Sequence, residues 1–86
     1  LYERQKGLCA LSGIRMTWIA GKGRSGGLTN VSIDRIDAGK AYVIENVQLV
    51  CSVVNYMRRD LPLSDFADWC GAIAGTMYAF CQRKAS

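Results

Sequence analysis

No histidine occurs anywhere in the 86 residues. Imidazole is therefore excluded as a general base near neutral pH, as a metal ligand and as a pH switch. Proline occurs once, at Pro62, so little before it obstructs regular structure and a break is expected there. Acidic residues are scarce, 7 against 11 Lys and Arg, for a formal net charge of +4. Long apolar runs are missing too: none approaches the ~20 residues that span a bilayer, so no membrane partner is expected. The opening "LYERQKG" is charged and lacks an apolar continuation, which argues against a secretory signal. A start on Leu rather than Met reads as part of a longer or processed protein, with room for additional domains.

Half of the residues are hydrophobic and 21% are charged, a globular composition sufficient for one small domain over 1–86. The charge is uneven. Residues 1–59 carry nine Lys and Arg against four acids, whereas 60–86 carry two against three. A basic N-terminal two-thirds suits a polyanion. Four cysteines stand at 9, 51, 70 and 81. Cys70 and Cys81 fall in one helical stretch, ~16 Å apart along its axis, too far to pair. The set reads as small core hydrophobes in a reducing cytoplasm.

Along the chain, residues 1–6 form a helical turn and "GLCALSGIRMTW" (7–18) a knuckle-like turn leading into a short strand. "AGKGRSGG" (20–27) lacks the Lys-Ser/Thr pair of a phosphate-binding P-loop. It predicts a mobile hairpin tip, with phosphate contact through Lys22 and Arg24 as the alternative. "LTNVSIDRI" (28–36) is β-branched and half alternating, with Val31 and Ile33 on one face and Ser32 and Asp34 on the other. "ENVQLVC" (45–51) alternates again. From Cys51 the period becomes helical, with Val50, Val53, Val54 and Met57 as its stripe and Arg58-Arg59 at its solvated end. Ser64 reads as the N-cap of a final helix over 63–84. Gly71 and Gly75 on that helix suit close packing, or a homodimer contact.

Three polar residues stand out by placement. Asp34 ends the first strand, Asn46 opens the second, and Asn55 lies inside a helix, where asparagine is disfavoured. The run "SIDRID..KAY...NVQLVC...NYMRRDL" resembles the HNH endonucleases of the ββα-metal class, and phage and prophage members most closely. The core of the likeness is 32–58. It implies an α+β fold: a β-hairpin, a crossing helix and a C-terminal helical extension.

The resemblance further implies a metal-dependent endonuclease hydrolysing DNA phosphodiester bonds in a bacterial or phage-infected cytoplasm. Asp34 and Asn55 fall at the metal-ligand positions, and Asn46 at the bracing position. Both ligand groups are oxygen donors suited to Mg²⁺ or Mn²⁺. Arg35 stands where the general-base histidine is expected and, being permanently charged, suits a phosphate clamp. Asp37 is the nearest alternative base. Lys40, Arg58 and Arg59, with Arg35, Lys22 and Arg24, would contact DNA phosphates. The knuckles of zinc-bearing relatives keep one cysteine each, Cys9 and Cys51, and two thiolates without histidine do not make a tetrahedral zinc site. Lacking the histidine, a DNA-binding module that does not cut is the alternative.

Overall fold

The computed structural model describes residues 1–85, with side chains described through residue 81. Two strands, β1 (Val31–Arg35) and β2 (Val47–Cys51), pair antiparallel in a two-stranded sheet, with Val31 opposite Cys51 and Arg35 opposite Val47. A one-turn 3-10 segment, Ile44–Asn46, leads into β2. Helix α1 (Ser52–Arg58) follows β2 without a loop, and α2 (Leu63–Ala85) follows a four-residue link. The chain is thus a small α+β fold.

A sheet of two strands cannot stand alone in water. The support here comes from α1 and from the N-terminal segment. Cys9, Met16, Leu49, Val50 and Cys51 form the buried centre, with Tyr2, Val31, Val53 and Val54 packed around it. The N-terminal segment is stitched to β2 by Gln5, whose Nε2 donates to the Leu49 carbonyl at 2.9 Å and whose Oε1 accepts from the Leu49 N–H at 3.0 Å. The knuckle expected over 7–18 is present: Cys9 N–H donates to Ile14 O, Gly13 N–H to Cys9 O, and Leu8 bridges Arg15. Cys9 and Cys51 meet at its base as free thiols. Burial and the neighbouring Cys9 push the Cys51 thiol up. Burial also acts upward on Cys9, but hydrogen bonds from Ser12 and nearby backbone outweigh it and bring that thiol below its ordinary value.

Three expectations need correction, and one open question is answered. The glycine-rich stretch is no free hairpin tip: Gly23–Gly26 forms a 3-10 turn tied down by the fully buried Asn30. The Asn30 amide accepts from Ile19 N–H and donates to Ile19 O and Gly23 O. In β1, where the alternation left the inward side open, Asp34 is the buried residue at 3% exposed and Ile33 is 55% exposed, because α1 packs over the Ser32–Asp34 side. In α1, Met57 is exposed and Arg58 is the buried residue. Finally, Ser64 lies inside the first turn of α2 rather than capping it, since Phe66 N–H already closes onto Pro62 O.

Candidate functional site

β1 ends at Arg35 and α1 crosses beside that end, which brings Asp34, Arg35 and Asn55 around one cavity of about 150 Å³. Tyr42, Arg59 and Asp60 complete its polar lining. Each arrives by a local rule. Asp34 shares a strand face with Ser32 because strand side chains alternate. Asn55 sits one turn before the C-terminus of α1, whose closing bond runs from Arg59 N–H to Asn55 O. Arg59 takes φ of 52°, a left-handed conformation that turns the chain sharply and sends Asp60 to the cavity rim.

Asp34 is a buried carboxylate and its partner is Arg58. Nη1 of Arg58 lies 2.6 Å from Asp34 Oδ2, with the two side chains 0% and 4% exposed. The guanidinium also donates to Leu61 O through Nε, to Arg35 O through Nη1 and to Ile36 O through Nη2. Gln48 adds a 2.9 Å bond to the same carboxylate oxygen. Arg58 was expected among the phosphate-contacting residues; the structure corrects this. A guanidinium sealed beneath the strand end, engaged by a carboxylate and three carbonyls, has no face left for a nucleic acid. It is the clamp that joins β1, α1 and the link to α2.

Oδ1 of Asp34 carries no hydrogen bond among the described residues. Asn55 is similarly half-engaged. Its Nδ2 donates to Ser32 Oγ at 2.7 Å and to Ile33 O at 3.4 Å, and a carbonyl can only accept, so Nδ2 faces the strand and Oδ1 faces away. Asp34 and Asn55 thus line one cavity, and each carries a side-chain oxygen of the donor type that hard divalent cations prefer. Two such ligands would leave most of a cation's positions to water, with Asp34 and Asn55 as the protein groups that would hold it. No group of three His, Cys, Asp or Glu able to hold a metal exists among the described residues.

Asn46, 8% exposed, braces the turn after β1. Its Oδ1 accepts from Asp37 N–H, its Nδ2 donates to Asp37 O and Ala41 O, and its backbone carbonyl accepts from Ile36 N–H. No known family model, curated protein or solved structure matches this chain. The site therefore has to be read from its own geometry.

Asp37 does not reach the cavity. Its Oδ1 accepts from Gly39 N–H in an Asx turn and its Oδ2 lies 4.0 Å from Lys40 Nζ, so the carboxylate expected as a base serves the turn instead. Arg35 does reach it: the guanidinium lies over the Tyr42 ring at 4.8 Å, donates to Lys40 O and stands 3.9 Å from Asp60. Arg24 and Arg59 flank the Tyr56 ring at 4.1 and 5.1 Å. Both guanidiniums thus stack on one exposed ring; hydrogen bonding to Arg24, then to Arg59, draws the Tyr56 hydroxyl below its usual pKa. Lys22 and Lys40 are exposed on their loops.

Sequence reasoning missed Gln48, Asp60 and Asn30. Gln48 was legible as the cross-strand neighbour of Asp34 once the register was drawn. Asp60 was obscured by reading Arg58-Arg59-Asp60 as an undifferentiated solvated end.

Proposed function

We propose that this chain is an HNH-like nuclease core, hydrolysing DNA phosphodiester bonds with one divalent cation at Asp34 and Asn55. The observation that carries the reading is the shared cavity, where those two residues each keep an unengaged oxygen and Arg35 and Arg59 stand on the rim. Phosphodiester hydrolysis builds negative charge on nonbridging and leaving oxygens, and a bound Mg²⁺ or Mn²⁺ would offset it. The residues do the rest. Arg35 and Arg59 seat the phosphate as charge-assisted donors. Asn46 fixes the turn carrying Tyr42 close to Arg35. Asp60, exposed and on the rim, takes the proton from the attacking water, the role vacated by histidine.

A second reading is favoured by one specific observation. Oδ2 of Asp34 is already neutralised by Arg58, which weakens the pull of that carboxylate on a cation and leaves a cavity with a surplus of positive charge. On this reading the domain binds DNA phosphates and does not cut.

Plasmid nicking across a Mg²⁺, Mn²⁺ and chelator series separates the two. Removing Asp34 would strand the buried Arg58, so the informative variants are Asn55→Ala and Asp60→Asn, each checked for an unchanged melting temperature. Metal-dependent nicking that both variants lose supports the nuclease. DNA binding without nicking under any metal supports the binding module. Absence of both rejects the shared site.

A further inference from the structure

Two cations share one ring, and no carboxylate pairs with either. Arg24 comes from the 3-10 turn at Gly23–Gly26 and Arg59 from the C-cap of α1. Their guanidinium carbons lie 4.1 and 5.1 Å from the Tyr56 ring centroid, which holds the two charges within about 9 Å of each other. That is inside the ~10 Å Debye length of ~0.1 M salt, so they repel. Both guanidiniums also hydrogen-bond the Tyr56 hydroxyl, and their donors converge on one oxygen. Among the described residues the ion pairs are Arg35–Asp60, Lys40–Asp37 and Arg58–Asp34, none of which includes Arg24 or Arg59. A phenol supplies a π face and a lone pair to a guanidinium, which leaves the repulsion in place.

The elements beneath the cluster are firm. Fully buried Asn30 pins the turn through Ile19 and Gly23, α1 packs against that turn, and Arg59 N–H closes onto Asn55 O. Arg24, Tyr56 and Arg59 are themselves exposed. Arg59 also lines the cavity of Asp34 and Asn55, so the cluster and the cavity share a wall.

We propose that Arg24 and Arg59 form a second phosphate seat around Tyr56, and that its ligand is a nucleic-acid strand with one phosphate here and a neighbouring one in the cavity. The identity of the ligand rests on the reading of that cavity as a phosphodiester site. Guanidiniums take phosphate oxygens in paired, charge-assisted bonds, and the Tyr56 hydroxyl holds both forks toward one point. A phosphate placed there offsets two charges that otherwise oppose each other. Linkage adds to this: once one phosphate is seated, the next arrives at high effective concentration. The ligand class is therefore an oligonucleotide, held better than a mononucleotide or free phosphate.

Nuclear magnetic resonance of the whole chain in metal-free buffer tests this, following arginine Nε–Hε and tyrosine Cζ signals with hexathymidylate and inorganic phosphate as probes. Hexathymidylate is expected to move the Arg24 and Arg59 signals together with that of Arg35 in the cavity. It is also expected to carry the Tyr56 titration to higher pH, because phosphate draws the guanidiniums off the phenolate oxygen. Inorganic phosphate is expected to need at least about tenfold higher concentration. Arg24→Gln is expected to weaken hexathymidylate roughly two- to fivefold, the range of an exposed ion pair, at an unchanged melting temperature, and Arg24→Lys to recover part of that loss. Movement at Arg35 with Arg24 and Tyr56 still overturns the second seat and leaves the cavity reading standing. Movement at Arg24 and Tyr56 with Arg35 still overturns the shared strand, as does an equal response to inorganic phosphate. No movement at either place overturns the second seat and the phosphodiester reading together.

Discussion

Arg58 and Asp34 carry the largest single consequence in the molecule. Removing one partner of a buried ion pair leaves the other charge uncompensated, at a cost of about 3–5 kcal/mol. In Asp34→Ala the guanidinium keeps its three carbonyls and loses its counter-charge; in Arg58→Ala three carbonyls and a carboxylate lose their donor. Both variants are expected to unfold at markedly lower denaturant, read by circular dichroism, and the double variant Asp34→Asn with Arg58→Met is expected to recover part of the loss. If Asp34→Ala melted like the parent, the pair would not be the clamp described above. At the surface, Tyr56 offers a gentler test. Its hydroxyl is held below its ordinary pKa by Arg24 first and Arg59 second. Neutralising either guanidinium removes stabilisation of the phenolate, so Arg24→Ala and Arg59→Ala should each move the tyrosinate absorbance titration to higher pH.

Among the elements, the loop at Gly23–Gly26 is the least expected, because glycines suggest freedom and here they permit contact. A Cβ built on Gly26 would stand 2.6 Å from Asn30 Nδ2, an approach real side chains do not make. Asn30, with no exposed surface, is ringed by Ile19 and Gly23 and has nowhere to retreat. Gly26→Ala is therefore expected to destabilise by about 1–3 kcal/mol, the overpacking range, and to raise amide exchange across 19–26; an unchanged exchange pattern would contradict the pinned loop. The alternation in β1 and β2, the change to helical period after Cys51 and the helix beyond Pro62 were all legible, since each is a local period. Asp34, Asn46 and Asn55 stood out by placement; the structure puts the first and last on one cavity and Asn46 in the turn after β1. What escaped was direction. A strand with Ile33 on one side and Asp34 on the other predicts a buried isoleucine on hydrophobicity alone, and the inversion is driven by a partner 24 residues away, Arg58. Arg58 itself has the pattern of a solvated helix end, and no local feature of the sequence distinguishes it from Arg59, which stays exposed.

At the scale of the whole molecule the question is where the positive charge is free to act. With Arg58 internally neutralised, the exposed or rim cations from the candidate set are Arg35, Arg59, Lys40, Lys22 and Arg24. Arg59 lies on both the cavity rim and the Tyr56 stack, linking the site to the Gly23–Gly26 turn in one basic track. Each phosphate neutralised by such a side chain contributes about 0.9 to the slope of log affinity against log salt on duplex DNA. On the proposed DNA-binding reading, Arg59→Ala and Arg24→Ala should each flatten that slope by roughly 1 while leaving the melting temperature in place. Arg58→Lys should do the reverse, lowering the melting temperature and leaving the slope unchanged wherever the protein remains folded. Fluorescence anisotropy with a labelled duplex, titrated at several salt concentrations beside a thermal melt, reads both quantities. A slope that fell with Arg58→Lys but not with Arg59→Ala would place the nucleic acid on a different face of the molecule.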